Sequence, residues 1–376
     1  MRIAVNTRFL IRSRLEGIGW FTFETMRRIV TARPEHEFVF LFDRPYDPMF
    51  IFGGNVRPRV VWPPARHPYL WHIWFQYRLP GVLRDMKPDL FISTDGFMPL
   101  RMPCPALLVI HDLAFEHFPE HVPPLVRNYY RKYSPLFAKA ADRIATVSEF
   151  SKGDICERYG IGPDKVDVVY NGVSEVYRPL GPEEQAAVRR RFAGGSEYFL
   201  FVSALQPRKN VVRLMQGFDA FKNKTGSAMK LLIAGSHTWI RKEIEAVHRE
   251  LSHNRDVIFL GHVGQDDLGQ LMGSAMALCY VSMFEGFGIP ILEAMHAGIP
   301  VVTSNRSSMP EVAGDAALLV DPFSAGDIAM GLETIFTQPA LRQELVARGF
   351  ERRAMFSWDQ TAGKLWNAVE RIIDKR

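Results

Sequence analysis

At 376 residues and 42.9 kDa the chain is longer than one hydrophobic core usually serves, so its length favours two domains. With 47% apolar and 23% charged residues it has the composition of an ordinary globular protein, which excludes a disordered chain, a collagen-like fibre and a disulfide scaffold. The net charge of +5 is uneven: residues 1–180 carry 24 Lys+Arg against 19 Asp+Glu, while residues 181–376 carry 22 of each. A solvated surface accounts for that excess, and so does an anionic partner of the first half, such as a membrane leaflet or a phosphate-bearing acceptor. No nucleic-acid partner is expected.

Apolar runs such as Ala106–Ile110 and Tyr198–Val202 fall far short of the roughly 18 residues of a membrane span. Arginines interrupt the opening residues MRIAVNTRFLIRSR, so no signal peptide is expected. The cysteines, Cys104, Cys156 and Cys279, lack metal-ligand spacing and suit a reduced, cytoplasmic environment.

In chain order, a short strand at Arg2–Asn6 leads to a turn at Gly17-Ile18-Gly19. A helix follows, its apolar positions Trp20, Phe21, Phe23, Met26 and Ile29–Val30. Strand-like runs come next at Phe38–Phe42, Val60–Trp62, Leu90–Ser93, Leu107–His111, Ile144–Ser148 and Val166–Tyr170, with helical stretches between them. Continuous apolar runs of this length suit strands buried on both faces of a parallel sheet. Ser174–Pro182 reads as a linker, because its prolines and glycine break both kinds of element. The pattern then restarts at Tyr198–Ser203, Leu231–Ala234, Val257–Leu260, Ala277–Val281, Val301–Thr303 and Ala317–Val320. Strand alternating with helix, twice over, predicts two Rossmann-like, doubly wound α/β domains facing each other across a cleft, with chemistry in the loops after strands. A last helix, Trp358–Ile373, either caps the second domain or reaches back to the first.

Three constellations fall in such loops. Gln206-Pro207-Arg208-Lys209-Asn210 follows a strand and opens a helix, and two cations beside free helix N–H groups can hold a diphosphate. Cations in a first helical turn oppose the helix dipole, so a merely solvated basic turn is the less natural explanation. The second, Ser282–Glu293, holds a two-glycine loop, with Pro290 expected at the first helical position. Its Glu285 and Glu293 are spaced to accept hydrogen bonds from two polyhydroxyl groups, although Glu293 would also serve as a dipole-satisfying acid. In the third, Ile110-His111-Asp112, the histidine either contacts a sugar or a reacting group, or is an ordinary satisfied strand-end residue. No histidine spacing suggests a metal.

Two further stretches carry weaker signals. Gly17 and Gly19 begin a dinucleotide fingerprint, and Asp43 sits near where a ribose-binding acid would, but Thr22 replaces the third glycine. Trp62–Leu79 interleaves Trp62, Tyr69, Trp71, Trp74, Phe75 and Tyr77 with Arg66, His67, His72 and Arg78. A membrane interface would use that mixture. A helix packing Leu70, Trp74 and Tyr77 on the sheet accounts for it too.

Taken together, these pieces resemble the retaining glycosyltransferases of family 4, which have the GT-B fold. The resemblance runs nearly the length of the chain: GIG at 17–19, IHD at 110–112, VSEFSK at 147–152, YNGV at 170–173, QPRKN at 206–210, FLGHV at 259–263, the glutamate pair Glu285 and Glu293, and SNRSSMPEVAGDAALLVDP at 304–322. The last run looks closest to members that build bacterial polysaccharides and O-antigens, many of them mannosyltransferases. The resemblance implies an acceptor-binding domain at 1–175, a donor-binding domain at 176–357 and a final helix at 358–376 that crosses back to the first. It also implies residue roles. Arg208 and Lys209 would neutralise the donor diphosphate. Glu285, with the amides of Phe287, Gly288 and Ile289, would hold the donor sugar and distal phosphate. Glu293 would bind the ribose, Val263 would lie against the base, His111 would contact the donor sugar, and Gly19 would admit the phosphates. Many members carry another arginine shortly before this RKN, where the chain has Ser203-Ala204-Leu205.

The expected activity is transfer of a hexose, mannose from GDP-mannose fitting best, from a nucleoside-diphosphate sugar to a saccharide or lipid-linked acceptor. Neither cofactor nor metal is expected. The enzyme would work in the cytoplasm, with peripheral contact at the inner face of the membrane if the first half meets an anionic leaflet. A nucleotide-sugar epimerase of the same two-domain fold is the alternative, and a nicotinamide enzyme is suggested by Gly17, Gly19 and Asp43 alone.

Overall fold

A computed structural model describes residues 1–12, 15–236 and 241–374. The chain divides into two compact units, one of residues 1–171 with 357–376 and the other of residues 172–356.

The first unit is built on a seven-stranded sheet of β1 (Arg2–Asn6), β2 (Glu37–Phe42), β3 (Val56–Val60), β4 (Leu90–Ser93), β5 (Ala106–Val109), β6 (Arg143–Thr146) and β7 (Val166–Val168). Every pairing is parallel and the spatial order is β3-β2-β1-β4-β5-β6-β7. Each residue of β4, β5 and β6 is buried, the condition of parallel strands covered by helices on both faces. β3 differs from the expected Val60–Trp62. It ends at Val60, carries Pro58 and alternates buried with exposed positions, as an edge strand can. Its solvent-facing arginines hid it from a search for continuous apolar runs.

Two helical segments of this unit also depart from expectation. The first helix spans Gly17–Ala32, so Gly17 and Gly19 lie inside its first turn rather than in a turn before it. From Pro68 to Met86 the chain is helical throughout, but Trp74–Arg78 is a π-helical turn in which Leu79 N–H bonds the Trp74 carbonyl five residues back. That wider turn rotates the buried face. Trp74, Phe75, Leu79 and Leu83 enter the core, Leu70 is half-buried, and Tyr77 is exposed.

The last helix, Trp358–Ile373, belongs to this first unit. Ser357 caps it, Arg28 bonds Asp359 at 2.6 Å, Arg371 bonds Asp167 at 2.6 Å, and the Thr361 hydroxyl donates to the Tyr170 carbonyl.

The second unit holds a six-stranded parallel sheet of β8 (Tyr198–Val202), β9 (Lys230–Ala234), β10 (Val257–Gly261), β11 (Ala277–Tyr280), β12 (Val301–Ser304) and β13 (Leu318–Val320), in the order β10-β9-β8-β11-β12-β13. Both sheets therefore grow outward from their first strand in two directions. In each, the loops after two central neighbours, β1 and β4 or β8 and β11, diverge to opposite faces, which is where such sheets bind ligands.

Gly217 lets the Val211–Thr225 helix approach the Ala325–Thr337 helix. A Cβ there would lie 2.7 Å from Ile328 Cγ2 and 3.0 Å from the Ala325 carbonyl oxygen. Ile328 is β-branched and fully buried, and the carbonyl is backbone, so neither yields easily. Gly217→Ala should lower unfolding free energy by about 1–3 kcal/mol in denaturant titrations, although alanine is the better helix former. Unchanged or raised stability would show that the two helices can separate freely.

Candidate active site

In the second unit the QPRKN segment follows β8. Pro207–Lys209 forms one 3-10 turn and Asn210 is the N-cap of the helix beginning at Val211. The two cations thus precede the helix rather than occupying its first turn, and the dipole opposes them less than the sequence suggested. Asn210 sits in the left-handed region at φ 63°, and its side-chain amide donates to the carbonyls of Val281 at 3.0 Å and Pro322 at 2.7 Å. This anchors the turn to the end of β11.

The loop after β11 closes over it. Glu285 is buried, and its carboxylate accepts from Arg208 Nη1 at 2.8 Å through one oxygen and from Lys209 Nζ at 2.6 Å through the other. Arg208 also donates to the Phe284 carbonyl at 2.9 Å, and Lys209 donates to the Tyr280 hydroxyl at 3.2 Å. Burial alone would raise the Glu285 carboxyl, but Lys209 and Arg208 outweigh it and hold it down to about 2. The residue is therefore a carboxylate at any physiological pH and has no proton to give. One negative charge against two positive ones leaves the group a net cation.

Sequence reasoning missed the buttress of this loop. The Ser307 hydroxyl accepts from Glu285 N–H at 3.1 Å, and the Ser308 hydroxyl lies 2.9 Å from both the Glu285 and Phe287 carbonyls. Ser307 takes a positive φ of 51°, uncommon outside glycine. The SNRSSMPEV run was quoted for its family pattern, and its paired serines ahead of a proline were the available signal.

Gly288, at φ 102°, is the N-cap of the Ile289–Ala297 helix, and Pro290 is that helix's second residue rather than its first. No acid occupies the first turn, so the dipole's positive end carries no carboxylate of its own. Glu293 lies beyond that turn and bonds elsewhere than Glu285 does: it pairs with the Tyr177 hydroxyl. Burial pushes Glu293 up to about 7, and the Tyr177 bond lowers it against that. Tyr177, itself buried, stands in the segment read only as a linker. Val263 is half-buried in the loop after β10.

In the first unit His111 follows β5, half-buried, with its ring edge-on to Phe21 at 5.0 Å. Its Nε2 lies 2.9 Å from the Thr94 carbonyl oxygen. A carbonyl only accepts, so Nε2 carries the proton and Nδ1 keeps its lone pair. Burial lowers the imidazole, which makes this neutral form the one present near pH 7. Gly19 brings the first helix against Phe9 and Leu15, and a Cβ there would meet the Phe9 carbonyl at 3.0 Å. Thr22, in place of a third glycine, bonds the Thr94 hydroxyl at 2.7 Å and so ties the helix to the loop after β4.

Asp43 cannot serve as a ribose acid as it stands. It is fully buried, both oxygens accept from Arg44, and one also takes the Ala65 N–H at 2.9 Å. Among the described residues no group of three His, Cys, Asp or Glu is placed to hold a metal ion.

The raised Glu293 carboxyl has a measurable consequence. Its folded-state affinity for a proton exceeds the unfolded one, so its contribution to stability is complete below about pH 4.5 and disappears as pH rises through about 7. Tyr177→Phe removes the bond that lowers the group, and carboxyl NMR should show Glu293 titrating above its native midpoint. A native midpoint near 4.5, or one that falls in the variant, would contradict the pairing.

Comparison with known proteins shows what the chain resembles over most of its length. A model described as glycosyltransferase family 4 matches residues 16–176, and one described as glycosyl transferases group 1 matches residues 183–352. The O-antigen chain mannosyltransferase B of Escherichia coli is 28% identical over 371 residues, covering 96% of this chain and 97% of its own length. The O-antigen chain mannosyltransferase RfbU of Salmonella typhimurium is 27% identical over 269 residues, 72% of this chain and 68% of its own. Among solved structures, the sucrose-phosphate synthase of Thermosynechococcus elongatus superposes with a TM-score of 0.79 at 16% identity and full coverage of both chains, which gives the fold as GT-B. One glycosyltransferase model falls on each sheet-bearing unit and a relative aligns almost end to end, so the chain belongs to the GT-B glycosyltransferases of the family 4 type.

Proposed function

We propose that the protein is a retaining hexosyltransferase that moves mannose from GDP-mannose onto a saccharide or lipid-linked acceptor during bacterial cell-surface polysaccharide synthesis. The observation that carries the reading is the buried, net-positive Arg208–Lys209–Glu285 group at the central crossing of the second sheet. The mannose and the polysaccharide rest on the relatives, which are named O-antigen mannosyltransferases.

The difficult event is departure of an anionic diphosphate from the anomeric carbon. Arg208 and Lys209 would take up the charge that develops on it, with the amides of Phe287, Gly288 and Ile289 at the neighbouring helix terminus. Glu285 keeps the two cations together before the donor arrives and would then accept hydrogen bonds from the sugar. Glu293 would receive the ribose hydroxyls, a role for its carboxylate form, so donor binding should strengthen as pH rises through about 7. Val263 would face the base. In the first unit, the bare Nδ1 of His111 would accept from a donor hydroxyl, and Gly19, packed against Phe9, would let the first helix stay close where the phosphates are to approach.

Retention follows if the acceptor oxygen attacks the face that the diphosphate leaves. The bond from the anomeric carbon to the phosphate oxygen breaks, the bond to the acceptor oxygen forms, and the acceptor proton passes to the departing phosphate. Glu285 is an unsuitable nucleophile for a double displacement because both its oxygens are already engaged by cations.

Two measurements test this. Incubation with GDP-mannose, UDP-glucose or ADP-glucose, followed by proton NMR of the anomeric signals, should show one donor consumed only when acceptor is present, with its configuration kept. Isomerisation of donor alone would instead establish the epimerase. Lys209→Ala should lower kcat/KM by about a hundred- to a thousand-fold, as loss of one transition-state charge partner does. Near-native turnover would remove the phosphate role.

A further inference from the structure

The centre of the first sheet holds a buried charge pair with donors to spare. β1 and β4 are parallel neighbours with Asn6 opposite Ser93, so two residues further on Arg8 comes opposite Asp95. Each is 6% exposed, and Arg8 Nε donates to the Asp95 carboxylate. A buried ion pair adds little net stability, because desolvation offsets the attraction. The binding capacity of Arg8 is also only partly used. Nη1 donates to the Ala65 carbonyl at 3.2 Å, and among the described residues nothing accepts from Nη2.

The rings around it are incompletely satisfied too. The guanidinium lies 4.5 Å from the centre of the Phe97 ring and 6.0 Å from that of Trp71, so aromatic faces fix its position. The Trp71 indole donates to the same Ala65 carbonyl at 2.9 Å. Tyr129, on the Pro124–Ala140 helix, packs 5.9 Å from Phe97 and 5.6 Å from Trp71 between ring centres. It is 8% exposed, and its hydroxyl is buried without a hydrogen-bond partner among the described residues. Its neighbour Tyr130 lies parallel to Trp71, the planes 3° apart, and both are half-buried. Burial raises both phenols above their ordinary range, so both keep a proton to donate. Buried polar atoms without a partner are few in folded proteins, and each calls for an explanation.

Charge decides which class of ligand these atoms suit. Asp95 cancels Arg8 and the group carries no further cation, so nothing in it repays the desolvation of a phosphate or a carboxylate. A neutral pyranose has no such cost. Its C–H face can cover the parallel Trp71 and Tyr130 rings, while its hydroxyls meet the unspent Arg8 and Tyr129 donors.

We propose that Arg8, Tyr129 and the Trp71–Tyr130 wall form an acceptor-specificity site that takes an uncharged pyranose and turns away its phosphorylated or uronate counterpart. Arg8 donates to one ring hydroxyl through Nη2 and Tyr129 donates to another, while Asp95 both holds Arg8 in place and neutralises it. The inference rests on the glycosyl-transfer reading, because it says which part of the acceptor the first unit recognises. Recognition and chemistry then share one loop, since Thr94, the residue before Asp95, supplies the carbonyl that fixes His111.

Saturation-transfer NMR on the full chain reads binding without turnover. The methyl α-glycosides of mannose, galactose, glucose and N-acetylglucosamine serve as neutral probes, with mannose 6-phosphate and methyl glucuronoside as charged ones. At least one neutral probe should take saturation from aromatic protons, and the charged probes should bind about tenfold more weakly than it does. Tyr129→Phe deletes only the unpartnered hydroxyl. It should weaken the neutral probe by about tenfold, as loss of one hydrogen bond does, and raise that probe's KM alike where it is glycosylated. Donor KM should be kept, and melting temperature kept or raised. An ordinary core tyrosine would leave probe binding unchanged. Arg8→Met/Asp95→Leu removes both charges together, avoiding a lone buried one, and should weaken the same probe by about ten- to a hundredfold. Native-like probe binding by the Tyr129 variant, no binding of any neutral probe, or tighter binding of a charged one would overturn the inference. Donor left unconsumed by a protein that still binds the neutral probe through Tyr129 would remove the transfer reading and leave this site standing.

Discussion

Two cations placed side by side in a largely buried turn repel each other and lose hydration, and the Glu285 carboxylate is what allows it. It reaches Arg208 with one oxygen and Lys209 with the other, and in return those charges keep it ionised in a site where burial alone would protonate it. Much of the surrounding backbone serves that arrangement. Asn210 and Ser307, neither a glycine, are both held at positive φ; the Asn210 amide ties the β8 loop to the end of β11, and the Ser307 hydroxyl ties the loop after β12 to the β11 loop. Such a preorganised excess of positive charge does not have to reorient when a leaving group acquires its negative charge, which is the property its proposed role in glycosyl transfer would require.

The two units solve a common geometric problem with different chemistry. Each sheet runs 3-2-1-4 through its centre, so each opens loops at the same topological place. In the second unit the place is charged. In the first, buried Arg8 and Asp95 form a balanced ion pair, the Thr94 carbonyl beside them accepts from Nε2 of a neutral His111, and Thr22 fastens the first helix to the same loop. A histidine held in this way offers an acceptor nitrogen, whereas a protonated one would repel the cationic side of a transferring sugar.

Glu293 and Tyr177 show how a segment that looks like a connector acquires a role. The tyrosine is buried and its hydroxyl bonds a carboxyl poised near neutrality. A group midway through its titration at physiological pH responds to small changes in its surroundings, so the Gly172–Gly181 stretch, which opens the second unit, adjusts the state of a residue that burial has already raised.

Strand positions were readable from the chain because parallel strands are buried on both faces and announce themselves as short apolar runs; β1 and β4 fall on the expected residues and most others within one or two. The loops bearing Arg208, Lys209 and Glu285 were readable for a related reason, since their glycines, prolines and charges interrupt those runs at strand ends. β3 escaped because an edge strand alternates, and the exposure of Tyr77 escaped because a π-helical turn adds a residue that no 3.6-residue period anticipates. Pairing was beyond sequence altogether. Lys209 meets a carboxylate 76 positions away, Asn210 a carbonyl 112 away, and Asp43, which looked free to hold a ribose, is consumed by its neighbour Arg44. Local residue order determines which segments become strands and which loops carry charge. Which charge neutralises which is decided only when the sheet brings distant loops within hydrogen-bonding distance, because electrostatic and hydrogen-bond energies depend on separations that chain spacing does not specify.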